Sequence, residues 1–253
     1  LLLSSCGSVP LTGRKQVLLV SDQEVLSSSL TQYSDYMKSA KKSSSKDGAA
    51  MVTRVGKKIA AATEQYLRNN GLESEIKNFA WEFNLVNDPQ VNAFCMPGGK
   101  IVVYEGLMQL VSSDDELAVV VGHEVAHAVA KHSNERMSQQ LMAQYGAQIL
   151  GQALSNKSAA VQKIGASVYG LGAQYGVMLP FSRKHESEAD YMGLVFMAMA
   201  GYNPAVAVNF WQKMSAGKSG STPEFMSTHP SDATRINEIK QHLPEIEKYR
   251  VKK

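Results

Sequence analysis

The chain has 253 residues, 44% apolar and 19% charged, enough for one sizeable hydrophobic core without requiring separate domains. A formal net charge of +3, with no run of four basic residues, argues against nucleic acid as a partner. No stretch of about 18 strongly apolar residues occurs, so no membrane-spanning helix is expected, and two cysteines cannot build a disulfide framework.

Leu1-Leu2-Leu3-Ser4-Ser5-Cys6 has the form of an apolar secretory segment ending in a bacterial lipobox. Cys6 is then the acylated first residue of the mature protein. Residues 1–20 form a lipobox and leader, and residues 21–253 the folded domain. Gly7 stands where Gram-negative lipoproteins retained in the inner membrane carry Asp, so the expected location is the outer membrane, lipid-anchored and facing the periplasm. The alternative is a frayed apolar terminus with an ordinary cysteine. Cys95 is left without a partner and reads as a small buried residue on a strand, or more sharply as an inhibitory thiolate.

Ser21-Asp22-Gln23-Glu24 opens a helix expected to reach Lys42, and residues 43–48 form a polar break. A second helix over residues 49–69 closes at Asn70-Gly71 with a left-handed cap. Phe79, Trp81, Phe83 and Leu85 alternate as a half-buried strand does. Short runs at 91–95 and 100–104, joined by Pro97-Gly98-Gly99, complete a small sheet.

Ser113-Asp114-Asp115-Glu116 has the capping-box form, with acids suited to the positive end of a helix dipole. The helix it opens carries His123-Glu124-Val125-Ala126-His127. Residues four apart share a helix face, so the two imidazoles can grip one metal ion while Glu124 stands beside them as a general base. Leu117, Val120, Val121, Val125 and Ala128 bury this helix on more than one side. The bland alternative is an amphipathic helix with two incidental histidines. Zinc with three protein ligands keeps a fourth position for water, whose pKa falls to around 7. His132 does not fit as the third ligand, because Ala130 and Ser133 stand where the extended zincin pattern needs Gly and His. It is expected to be solvated near the helix end.

Residues 137–180 are rich in Ala, Gly and Gln, and read as two closely packed helices or, more sharply, as a lid or lipid-contact surface. The segment from Ser182 opens a further helix in which Glu186 and Asp190 lie four apart. Glu186 is expected to be the third metal ligand and Asp190 to hold the outer nitrogen of a ligand histidine, with Glu188 pointing elsewhere. A turn at residues 201–204, a helix at 205–214, a loop at 215–220 and a last helix at 231–242 follow.

His123-Glu124-Val125-Ala126-His127 followed by Glu186 and Ala189-Asp190 resembles the gluzincin metalloendopeptidases related to the membrane protease HtpX, the CAAX prenyl proteases and the mitochondrial inner-membrane quality-control protease. Asn92-Ala93-Phe94 is similar to the family's edge-strand motif, and Thr228-His229-Pro230 with Arg235 to its C-terminal element. Val9-Pro10-Leu11-Thr12-Gly13-Arg14-Lys15-Gln16 is similar to the start of its bacterial lipoprotein branch.

The resemblance implies an α+β zincin fold, mainly helical, with a small sheet next to the metal-binding helix. One Zn2+ is held by His123, His127 and Glu186. Glu124 is the general base and His229 the donor to the oxyanion, with Asp190 and Arg235 supporting the ligands. Asn92, Ala93 and Phe94 bind the backbone of an extended substrate. The implied task is hydrolysis of internal peptide bonds in misfolded or unassembled envelope proteins, with an envelope assembly machinery as a candidate partner. A chaperone-like binder of unfolded outer-membrane proteins, with secondary proteolysis, is the alternative. A zinc hydrolase of non-peptide substrates is disfavoured by the edge-strand motif. The membrane-embedded relatives carry transmembrane helices for which this sequence offers no segment, so their lipid-embedded substrates do not carry over.

Overall fold

The structure, a computed structural model, describes residues 6–153, 182–216, 223–229 and 233–251, the side chains of Cys6 and of 143–153 excepted. Most of the stretch read as a lid, together with Leu1 to Ser5 and Pro230, lies outside the described residues. Among the described residues no helix is long and apolar enough to cross a membrane.

Helix α1 (Asp22–Ser39) starts with a full capping box, Ser21 and Glu24 each taking the other's backbone N–H. It stops short of Lys42, whose backbone instead bridges Val86. Helix α2 (Lys46–Asn69) begins inside the expected polar break because Ser45 caps it, its hydroxyl accepting the Gly48 N–H at 3.1 Å. It ends as the sequence indicates, with Gly71 in the left-handed region at φ 71°. A short helix, α3 (Glu73–Ile76), leads to the sheet.

That sheet has the order β3-β5-β4, with β3 (Glu82–Val86) parallel and β4 (Ala93–Met96) antiparallel to the central β5 (Lys100–Tyr104). The strand expected from Phe79 begins only at Glu82, because the rings of Phe79 and Trp81 stack on each other at 4.6 Å and the indole N–H donates to Glu64 of α2. β4 is an edge strand, as its motif implied.

Residues 6–20 do not stand apart from the domain. β1 (Cys6–Ser8) and β2 (Lys15–Val17) pair as a hairpin, and Val9 and Val20 are buried in the core. Ser138 accepts the Leu19 N–H at 2.8 Å, Asn134 donates to the Val20 carbonyl at 2.9 Å, and Arg14 pairs with Glu135 and Glu188.

After the one-turn α4 (Glu105–Met108), α5 (Asp114–Val129) runs through the middle of the molecule, every residue from Leu117 to His127 buried. Ser113 caps it by accepting the Glu116 N–H. Glu116 reaches back one residue further than a capping box requires, to the Ser112 N–H at 2.7 Å. The acidic first turn also ties α5 to its surroundings. Asp114 pairs with Arg54 of α2, Asp115 accepts the Asn203 N–H and Glu116 pairs with Lys213.

A tight reversal at Lys131, whose φ of 56° is unusual for a side-chain-bearing residue, turns the chain into α6 (His132–Ala153). Lys131 is held there by Asp22 at 2.7 Å and Glu75 at 2.9 Å. Then come α7 (Arg183–Met199), α8 (Val206–Ala216), α9 (Glu224–Thr228) and α10 (Ala233–Ile246).

α5 and α7 touch backbone to backbone at Gly122 and Gly193. A Cβ on Gly122 would stand 2.7 Å from the Gly193 carbonyl oxygen, and one on Gly193 2.7 Å from the His123 nitrogen. Neither obstacle is a flexible side-chain tip. We predict that Gly122→Ala destabilises the metal-free protein by at least about 1–3 kcal/mol, the scale of overpacking, measured by denaturant unfolding. A near-neutral value would show that the helices can part at this crossing.

Candidate metal centre

α5 presents His123 and His127 on one face, with their Nε2 atoms 3.0 Å apart. α7, capped by Ser182, carries Glu186 in its first turn, and the close crossing brings that carboxylate to 3.4 Å from His123 Nε2 and 3.3 Å from His127 Nε2. His229 caps the C-terminus of α9. Its Nδ1 lies 3.0 Å from Glu186 and 3.2 Å from His123 Nε2. All four side chains are buried, and one donor atom from each lies within 4.8 Å of the others. A tetrahedral metal with ligand bonds of about 2.0 Å has edges of about 3.3 Å. The five separations, 3.0 to 3.4 Å, lie near that edge, with Glu186 meeting His123 through Oε2 and His127 and His229 through Oε1, so the four side chains can converge on one metal ion.

The protons support the same reading. His123 Nδ1 lies 2.9 Å from Asp190, whose carboxylate is gripped by Arg235 through Nε and Nη2. Nδ1 therefore carries a hydrogen, and Nε2 turns its lone pair inward. Burial works against charge on His123, yet the carboxylates of Glu186 and Asp190 push its pKa up to about 9 in the metal-free protein. Burial pushes His127 the other way, well below its usual value. Burial also favours a neutral Glu186, but His229, Arg235 and His123 outweigh it and hold the carboxyl well below the ordinary range. Inward-facing lone pairs beside an ionised acid draw in a cation, and a metal ion displaces the proton that the acids otherwise keep on His123.

Glu124 projects next to this cluster. Its Oε2 accepts the Cys95 N–H of edge strand β4 at 3.2 Å. Among the described residues Oε1 has no hydrogen-bond partner, and it lies 3.5 Å from His229 Nε2. Burial raises the pKa of this carboxyl, which makes its carboxylate a stronger base. A cleft lined in part by Val25, Leu26, Phe79 and Pro97 opens beside His127.

Several expectations need correction. His132 is fully buried, its Nδ1 at 2.9 Å from His127 Nδ1 and its Nε2 at 2.9 Å from Glu188. Burial drives its pKa down to about 4, so the ring is neutral. Glu188 points elsewhere than the cluster, as expected, but it is buried and paired instead of solvated. Although burial opposes its charge, His132, Thr12 and Arg14 bring its pKa down to about 2. A histidine five residues past a ligand was the only sequence signal for this arrangement, and the reversal at Lys131 is what gives it meaning.

Asn92 accepts the N–H of its neighbour Ala93 with its own side chain. Phe94 packs against Tyr36 and Tyr104 and faces the core. The motif residues thus shape the edge strand through its backbone. Arg235 spans both acids, meeting Glu186 at 2.8 Å while lying over the Trp211 ring. His229 stands at a corner of the ligand set and not across from it. The Cys95 thiol is turned to the Met96 carbonyl and lies outside the four-residue cluster.

The family model for peptidase family M48 matches residues 53–243. The chain belongs to peptidase family M48. Among M48-type relatives it is 36% identical over 205 residues to the mitochondrial metalloendopeptidase OMA1 of Schizosaccharomyces pombe, covering 78% of this chain and 53% of that protein. To the Arabidopsis thaliana protein of the same name it is 40% identical over 168 residues, 66% and 33% of the two chains. To the beta-barrel assembly-enhancing protease of Yersinia pestis it is 33% identical over 174 residues, 64% and 36%. The chain thus spans about half or less of the length of these relatives.

Arg235 neutralises two buried carboxylates, so we predict that Arg235→Leu costs about 3–5 kcal/mol in the metal-free protein, read from its unfolding midpoint. A loss under about 1 kcal/mol would mean that the acids do not depend on this guanidinium.

Proposed function

We propose that this chain is a zinc-dependent metalloendopeptidase that hydrolyses internal peptide bonds. The observation that carries the reading is the convergence of His123, His127 and Glu186 on one point, with the Glu124 carboxylate beside it and an edge strand alongside. Imidazole and carboxylate donors in a tetrahedral arrangement suit zinc. Zinc, when bound, acts as a Lewis acid toward the scissile carbonyl and brings the pKa of water to around 7.

Glu124 takes the proton of the attacking water on Oε1 and returns it to the leaving amine, while the Cys95 N–H steadies Oε2. β4 offers main-chain groups to an extended substrate, which gives affinity without demanding one side-chain sequence. His229 lies against the same cluster, its Nδ1 3.0 Å from Glu186 and its Nε2 3.5 Å from Glu124, where it would serve as a donor to the developing oxyanion.

The finer reading is an outer-membrane lipoprotein, acylated at Cys6 and facing the periplasm, that removes misfolded or unassembled envelope proteins. The lipobox at Leu3-Ser4-Ser5-Cys6 supports it, as does the likeness to beta-barrel assembly-enhancing proteases. The OMA1 relatives are mitochondrial, so the envelope location rests chiefly on the lipobox.

Glu124→Gln is expected to keep its zinc and lose about 10²- to 10⁴-fold of its casein-cleaving rate; a fully active variant removes the general base. Glu186→Ala is expected to lose zinc by metal analysis and His229→Ala to retain it, and equal loss in both overturns the three-ligand assignment. Expressed as the full precursor, Cys6→Ser is expected to leave the membrane fraction. Unchanged processing and attachment would reject acylation at Cys6.

A further inference from the structure

The two ligand histidines are braced differently. His123 passes its outer N–H directly to Asp190, which Arg235 grips. The Nδ1 of His127 meets a second imidazole, His132 Nδ1, at 2.9 Å, and His132 Nε2 meets Glu188 at 2.9 Å. Glu188 is held by Arg14 Nε at 2.7 Å and by the Thr12 hydroxyl. The other face of the Arg14 guanidinium is paired with Glu135, which also receives His185 Nε2 at 3.1 Å. The His185 ring stacks on His132 at 4.4 Å.

The protons along this line have only one arrangement once His127 Nε2 faces a metal. A neutral imidazole has one N–H, so that of His127 sits on Nδ1 and donates to His132. Nδ1 of His132 is then an acceptor, and its single proton sits on Nε2, donating to the carboxylate of Glu188. We propose that His132 is a positioning residue of the metal centre, fixing the tautomer and ring orientation of His127, and that Glu188 with Thr12 and Arg14 of the N-terminal hairpin anchors it. The inference rests on the metal-ligand reading given above. It makes the segment between β1 and β2 part of the centre's support, through contacts 174 and 176 residues apart in the chain.

The deciding experiment compares zinc affinity, by chelator competition, among the unaltered protein, His132→Leu, His132→Asn and His123→Ala. Unfolding of the zinc-free forms is followed in parallel. His132→Leu fills the site without an acceptor and is expected to weaken zinc about 10- to 100-fold, the scale for losing an outer partner of a metal histidine. The amide oxygen of His132→Asn can accept the His127 N–H, so this variant is expected to recover most of the loss. The cobalt-substituted absorption spectrum should shift in His132→Leu and return toward normal in His132→Asn. A folded His132→Leu protein with unaltered zinc affinity, or an Asn variant as weak as Leu, overturns the proposal.

A measurement without substitution stands beside these. Long-range proton–nitrogen spectra of the zinc-loaded protein are expected to place the His132 proton on Nε2, and a proton on Nδ1 rejects the relay. Zinc lost in His123→Ala but kept in His132→Leu defeats only this inference. Zinc kept in His123→Ala defeats the metal centre itself.

Discussion

The close approach of α5 and α7 is the constraint on which the site depends. Gly122 and Gly193 let the two backbones meet with no side chain between them. His123 follows one of these glycines directly, and Glu186 and Asp190 precede the other within two turns of the same helix. The distance between the two imidazoles and their carboxylate is therefore set by backbone contact, which does not relax as side-chain packing does. Coordination distances tolerate only small errors, and a glycine crossing is a rigid way to hold them.

Around that crossing, buried charge is organised in two lines. One runs from His123 through Asp190 to Arg235, which lies over Trp211. The other runs from His127 through His132 and Glu188 to Arg14. Asp190 and Glu188 both come from α7, one on each line. Each buried acid meets a guanidinium, so the desolvation cost of ionising it is offset without a proton. The same helix that supplies Glu186 thus meets both lines of histidines.

The clustering of His123, His127 and Glu186 was legible because its geometry is local. His123 and His127, like Glu186 and Asp190, lie four apart on helices whose caps, Ser113 and Ser182, are visible in the chain. The second support line was not, because nothing local joins Arg14 to Glu188 or His132 to His127. A histidine near a helix end is ordinarily solvated, and Lys131 reverses the chain in a left-handed conformation without the glycine that would have signalled it. The stacked Phe79 and Trp81 hid the true start of β3 in the same way, since alternation of aromatic residues marks burial and not hydrogen bonding.

The four residues of the cluster come from elements of very unequal protection. α5 is enclosed on all sides, so exposing its amides requires the core to open. α9 is a five-residue helix with no side-chain cap, tied to the segment ahead of β4 by the Phe225 N–H on the Val91 carbonyl at 3.0 Å. Hydrogen exchange would sort these elements, with α5 slowest and α9 fastest. The cluster therefore joins a helix that opens only with the core, at His123 and His127, to a short one held by few bonds, at His229.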